Sequence, residues 1–209
     1  MTPYSRPLIA TLLLCAAQLP AAAQTRSTWS VQGSALYAGL GGRAYKGIDP
    51  GAGFELQGRR KLDPLWSLGC GVQGTYHSLS SFSGSETLEG LFCEPRKLVD
   101  INSERVFPYL SARAALLRQR ITSGDDSRSA KGLALNIGTG IMMPIANTAG
   151  NYPTLLEIGA SGGYTQFGNF TKNVGGLTVE NDQPNGGGWN FVVRVGVAVG
   201  LPYGTPKRP

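Results

Sequence analysis

Near the carboxyl end of the chain, Trp189-Asn190-Phe191-Val192-Val193-Arg194-Val195-Gly196-Val197-Ala198-Val199-Gly200-Leu201 changes character at almost every step. Trp189, Phe191, Val193, Val195, Val197, Val199 and Leu201 occupy the odd positions, whereas Asn190, Arg194, Gly196, Ala198 and Gly200 fall on the even ones. Successive side chains of a strand point to opposite faces, so this stretch has one greasy face and one small or polar face.

The same period of two recurs in Trp29 to Leu40, Gly51 to Leu62, Trp66 to Ser78, Leu88 to Val99, Val106 to Ile121, Gly132 to Ile145 and Thr154 to Phe167. With the first stretch this predicts eight strands. Leu88 to Val99 is the most interrupted of them, because Pro95 removes a ladder donor. No segment after the leader offers 18 consecutive apolar residues, so the sequence predicts no spanning helix. Connections alternate in length. The links at 61–65, 100–105 and 146–153 are fairly short, whereas 41–50, 79–87, 122–131 and 168–188 are longer or more polar. In an up-and-down barrel alternate joints lie at the same end, with short turns facing the periplasm and long loops facing outside.

Composition narrows the function classes. The 209 residues allow one domain or at most two. Glycine, at 30 residues, has no collagen-like period and lies among apolar residues, which argues against a disordered chain. One His and three Cys leave no material for a His/Cys metal cluster, and no Gly-rich loop ends in Lys-Ser or Lys-Thr. No cofactor is expected. The net charge of +6 is not gathered into a Lys/Arg run of the kind that binds nucleic acid.

Residues 1–23 read as a secretory signal peptide: Arg6, an apolar stretch from Leu8 to Leu19, then Pro20 and Ala21-Ala22-Ala23 before Gln24. Residues 24–209 then form one barrel domain. Cys15 is expected to leave with the leader, so Cys70 and Cys93 remain in an oxidising compartment.

The polar face decides what surrounds the barrel. It carries Gln32 and Ser34, Glu55, Gln57 and Arg59, Gln73, Thr75 and His77, Glu94 and Arg96, Ser111 and Arg113, Asn136, Glu157 and Ser161, and Asn190 and Arg194. A soluble barrel turns such residues outward; an outer-membrane barrel turns them in. Eight strands leave room only for side chains, so this face is expected to form a packed polar core without an open pore. Gly53, Gly69, Gly71, Gly138, Gly140, Gly159, Gly163, Gly196 and Gly200 share it, making room for long side chains from other strands. Buried charges need partners. Glu55, Glu94 and Glu157 are therefore expected to pair with Arg59, Arg96, Arg113 and Arg194 as a structural network.

Aromatics on the greasy face sit near strand ends. Trp29 and Trp66 open their strands at one end, while Tyr37, Phe54, Tyr76, Tyr164, Trp189 and Phe191 lie toward the other. Two aromatic girdles are what a bilayer selects. The expected architecture is all-β: an eight-stranded antiparallel up-and-down transmembrane β-barrel with a polar, side-chain-filled interior.

On this pattern the chain resembles the small outer-membrane β-barrel domain family of Gram-negative bacteria, the eight-stranded barrels of the OmpA/OmpX type. The resemblance is one of pattern over the mature chain. It is most marked in Leu91-Phe92-Cys93-Glu94-Pro95-Arg96, Pro108-Tyr109-Leu110-Ser111-Ala112-Arg113 and Leu156-Glu157-Ile158-Gly159-Ala160. The last strand also looks like the assembly signal read by the barrel-insertion machinery, with Arg194, Gly196, Val199 and Leu201. It departs from that signal in ending on Leu201 where an aromatic is usual, and in running on to Pro209. The resemblance implies outer-membrane lipid and the barrel-assembly machinery as partners.

Two constellations bear on chemistry. His77, the sole histidine, falls on the inner face near the outer rim, close to Ser78, Ser80 and Ser81, with Glu86 or Asp125 as candidate acids. A lipid-modifying hydrolase or acyltransferase would need such a base beside an activated Ser, but no nucleophile motif surrounds it, and a rim histidine in a polar core is the simpler expectation. Cys70 and Cys93 both point to the greasy face of neighbouring strands, nearly opposite in a simple hairpin register. A cross-strand disulfide is expected, with two lipid-facing thiols as the alternative. The segment 168–188 is the longest expected outside loop and the best place for a surface partner, which the sequence does not name. The functional expectation is a non-enzymatic outer-membrane barrel serving envelope structure or surface interaction. A rim-sited enzyme, a narrow solute pore and a soluble secreted barrel are the alternatives.

Overall fold

Strands with one greasy and one polar face must cover both faces and leave no open edge, and this chain does so by closing on itself. In the computed structural model, β1 (Trp29–Gly42), β2 (Gly51–Lys61), β3 (Trp66–Ser78), β4 (Ser85–Leu98), β5 (Phe107–Ser123), β6 (Asp126–Thr148), β7 (Tyr152–Val174) and β8 (Leu177–Leu201) follow in chain order. They form a closed barrel in which β8 pairs antiparallel with β1. The structure describes residues 29–80, 84–101, 103, 105–124, 126–148, 152–174 and 177–201. The expected leader, residues 1–23, and the chain beyond Leu201 lie outside the described residues.

The eight expected strands are all present, but the last four run further than their alternation does. Residues 122–131 and 168–188, read as polar loops, are instead mostly strand. The ladders extend to Ser123↔Asp126 between β5 and β6 and to Val174↔Leu177 between β7 and β8. At the first of these Gly124 adopts φ +58°, a conformation that two-residue hairpins require and glycine supplies at least cost. The physical reason for the difference is that a ladder needs only backbone hydrogen bonds, whereas the apolar signal needs lipid on one side. Pro95 is accommodated in β4 at a break in the pairing: the β4–β5 ladder passes from Cys93↔Ala114 to Arg96↔Ser111.

The greasy faces look outward and the polar faces look at the axis. Ile137 is 77% exposed and Val195 47%, whereas Arg113, Glu157 and Arg194 are buried. Trp29 and Tyr37 on β1, and Trp66 and Tyr76 on β3, mark the two ends of the outward apolar belt. Spacings of eight and ten residues suit the 9–11 residues with which a tilted strand crosses a bilayer. Exposed Glu89 on β4, Arg118 on β5 and Lys131 on β6 lie beyond the belt on those strands. Glu86 and His77, further along, therefore stand above it.

The interior is filled by side chains and largely polar, as expected, and it holds an apolar layer that the sequence reading does not include. Toward the short-turn end lie the ion pairs described below. Toward the other end Leu88, Phe92, Ala115, Leu117, Ala130, Ala134 and Phe167 form a buried apolar cluster. A single-turn 3-10 helix, Arg43–Tyr45, follows β1 and turns Ala44 and Tyr45 into that cluster. The Tyr45 and Phe167 rings meet edge to face with centroids 5.8 Å apart. Covered by this turn, apolar side chains gain burial inside the barrel itself.

Candidate functional site

Glu94 on β4 is the hub of the lumen. Its Oε1 lies 3.1 Å from Arg59 Nη2 and 2.8 Å from Arg96 Nη2, and its Oε2 lies 2.7 Å from both Arg113 Nη2 and Arg194 Nη1. Glu157 on β7 pairs with Arg96 Nη1 at 2.6 Å and Arg194 Nε at 3.0 Å, and Glu55 on β2 with Arg113 Nη1 at 2.8 Å. All seven groups are buried, and they come from five strands, β2, β4, β5, β7 and β8. Alternation explains the convergence, because each residue has the inward parity of its strand. Charge-assisted bonds of this density stiffen the wall, since moving any of these strands would break a pair in a low-dielectric setting.

Tyr109 on β5 completes the network. Its hydroxyl donates to Glu157 Oε1 at 2.8 Å, and the Arg96 guanidinium carbon lies 3.8 Å from its ring centroid. Tyr109 is absent from the network expected on sequence. The available signal is its inward parity opposite a glycine pair: Tyr109↔Gly140↔Gly159 is one rung, and a Cβ at either glycine would collide with the Tyr109 hydroxyl. Elsewhere the glycines do two jobs. Gly69 leaves space for the Arg59 guanidinium, as expected, whereas Gly53 and Gly71 admit the backbone of the neighbouring strand.

His77 and Glu86 are paired across β3 and β4 at the rim and are fully buried. The histidine Nε2 lies 2.9 Å from Thr75 Oγ1, and its Nδ1 lies 3.0 Å from the Asp49 carbonyl oxygen. Glu86 accepts from Gln119 Nε2 at 3.0 Å, while Ser80 donates to the Gly47 carbonyl. Burial holds the His77 imidazole below its usual range and pushes the Glu86 carboxyl up to about 7. No Ser hydroxyl among the described residues bonds to His77; Ser81 and Asp125 lie outside them. No group of three His, Cys, Asp or Glu side chains among the described residues is placed to hold a metal ion.

Cys70 and Cys93 are directly opposite on β3 and β4 and are joined by a disulfide on the outward face. Outward too are Trp29, Trp66, Tyr37, Tyr76, Tyr164 and Trp189, all at least 40% exposed. At the short-turn end Arg60 lies 5.7 Å from the centroid of the Trp29 ring and Lys97 5.6 Å from that of Trp66. A ring with a cation beside it suits the boundary between hydrocarbon and headgroups.

Solved structures share this architecture. The chain superposes on Neisserial surface protein A (NspA) with a TM-score of 0.53 at 19% identity, covering 82% of this chain and 96% of that one. The chain has the fold of the small outer-membrane β-barrels. A major outer membrane protein from Thermus thermophilus is similar as well, with a TM-score of 0.54 at 16% identity over 84% of this chain and 99% of that one. No family model matches the chain, and no curated protein matches it.

Proposed function

We propose that the chain is an integral protein of the bacterial outer membrane, non-enzymatic and non-conducting, whose barrel holds a surface-exposed hairpin rim for envelope structure or contact with other molecules. The observation that carries this reading is the pairing of an apolar outward face with a charged, filled lumen. The reverse arrangement would suit water outside, and an unfilled lumen would suit a pore. A cavity of about 40 Å³ above the ion pairs, touched by Leu36, Tyr45, Gln73, Arg113, Asn136 and Asn190, is room for a few water molecules and no larger solute. His77, engaged by Thr75 and the Asp49 carbonyl, supports a structural role at the rim. On this reading lipid surrounds the belt and the barrel-assembly machinery inserts the chain.

Gel mobility after detergent extraction of outer membranes tests the proposal. A band that migrates anomalously unheated and shifts on boiling is expected. A chain found in the aqueous phase, or one without heat-dependent mobility, contradicts it. Discrete conductance steps in planar bilayers would contradict the non-conducting part alone.

A further inference from the structure

The rim of the apolar belt at the hairpin end is not uniform. On β1, β2, β3, β7 and β8 the outward position there is aromatic: Tyr37, Phe54, Tyr76, Tyr164 and Trp189. On β5 and β6 no ring takes that place. The outward rungs of this strand pair read, toward the rim, Ala112↔Ile137, Ala114↔Leu135, Leu116↔Leu133 and then Arg118↔Lys131, with Arg120 one outward step further. One such step is about 6.6 Å along a strand, so three cations begin directly where exposed leucines end. Arg118 approaches Glu89 to 3.8 Å, with both side chains about half exposed. Among the described residues no acid pairs with Arg120 or Lys131.

Below the cations the wall is indented. Small side chains at Cys70, Cys93, Ala112 and Ala114 form the floor of an open apolar groove of about 1,030 Å³, bounded by Leu135 and Trp189. In a bilayer such a groove faces acyl chains, and the cations above it face headgroups. Guanidinium groups match phosphate oxygens through paired N–H donors, and ammonium adds a point charge. Anionic headgroups draw basic residues at a membrane surface, each such residue contributing on the order of a fivefold gain in affinity at low salt. A girdle ring would anchor the barrel in any lipid; three cations in its place select the charge of what they meet.

We propose that Arg118, Arg120 and Lys131, together with the groove beneath them, bind a lipid whose headgroup phosphates carry net negative charge and whose acyl chain lies in the groove. The proposal rests on the outer-membrane reading above.

The test uses the folded chain in phosphatidylcholine nanodiscs, with lipid A, a phosphorylated acylated disaccharide, as probe, and retention read by native mass spectrometry. Wild type is expected to retain lipid A in preference to phosphatidylcholine and to lose that preference in high salt. R118Q/R120Q/K131Q is expected to bind about 100-fold more weakly, at the fivefold per cation given above, and A114W, which fills the groove, to weaken retention with all charges kept. K97Q, at the opposite end, is expected to match wild type. Equal retention by wild type and the triple variant, with both showing heat-modifiable mobility, overturns the inference and leaves the outer-membrane reading standing. Displacement of lipid A by millimolar inorganic phosphate, with A114W unchanged, points to an anion site without a lipid and also overturns it. Failure of wild type to enter the nanodisc overturns both.

Discussion

Glu94 touches four guanidinium groups, so the cost of removing its charge is set by what is stranded. In Glu94→Gln, Arg59 keeps no carboxylate partner among its described pairs, and Arg113 and Arg194 each lose their shortest one. Breaking a buried pair from one side costs about 3–5 kcal/mol. Urea unfolding in detergent, followed by gel mobility, should show a loss of that size, and an unchanged midpoint would contradict the hub role. Glu86 gives a pH prediction. Its folded-state carboxyl titrates near 7, above the ordinary value of 4.5, so it favours folding below pH 4.5 and that contribution is lost as pH rises to about 7. His77 works the other way, since its lowered value removes stability as pH falls below 6.5. Comparing Glu86→Gln with wild type isolates the carboxyl: the stability difference should change between pH 4.5 and 7 and be flat above. A difference independent of pH would contradict the burial of a titrating group at that position.

At the scale of the element, β3 and β4 are clamped on their lipid side by the Cys70–Cys93 bond, which closes a segment with a separation of 23 residues. Cross-links of this loop length contribute about 3 kcal/mol, chiefly by restricting the unfolded chain. Cys70→Ala/Cys93→Ala should lower stability by that order, and non-reducing mass mapping of wild type should find the linked peptides. Free thiols at both positions would contradict the bond. The membrane-crossing parts of the strands were legible because lipid on one face and side-chain packing on the other impose a strict period of two, as from Trp189 to Leu201. Register made Cys70↔Cys93 legible too, once two adjacent strands were aligned about a hairpin. The hairpin extensions of β5–β8 were not, because no lipid imposes alternation above the belt. Nor was the apolar upper lumen: Leu88, Leu117 and Phe167 carry inward parity among polar neighbours, and only the fold of Arg43–Tyr45 over the mouth explains how they stay dry. Tyr109 was not legible because its partners, Glu157 and Arg96, are 48 and 13 residues away in the chain.

At the scale of the whole molecule, what matters is which face of the wall meets lipid. The wall is held by two separate packings, an ion-pair layer and a capped apolar layer, and neither needs the bilayer to cover it. The outward face does, since Leu91, Leu110, Leu135, Ile137 and Phe191 stand more than half exposed. All three tryptophans of the chain, Trp29, Trp66 and Trp189, lie on that face near the ends of the belt. Their intrinsic fluorescence, in vesicles containing lipids brominated at defined acyl depths, tests the orientation most directly. With the apolar face toward lipid, bromine close to the headgroups should quench strongly, bromine at the bilayer centre less, and aqueous iodide little. Emission untouched by brominated lipid but quenched by iodide would contradict that orientation.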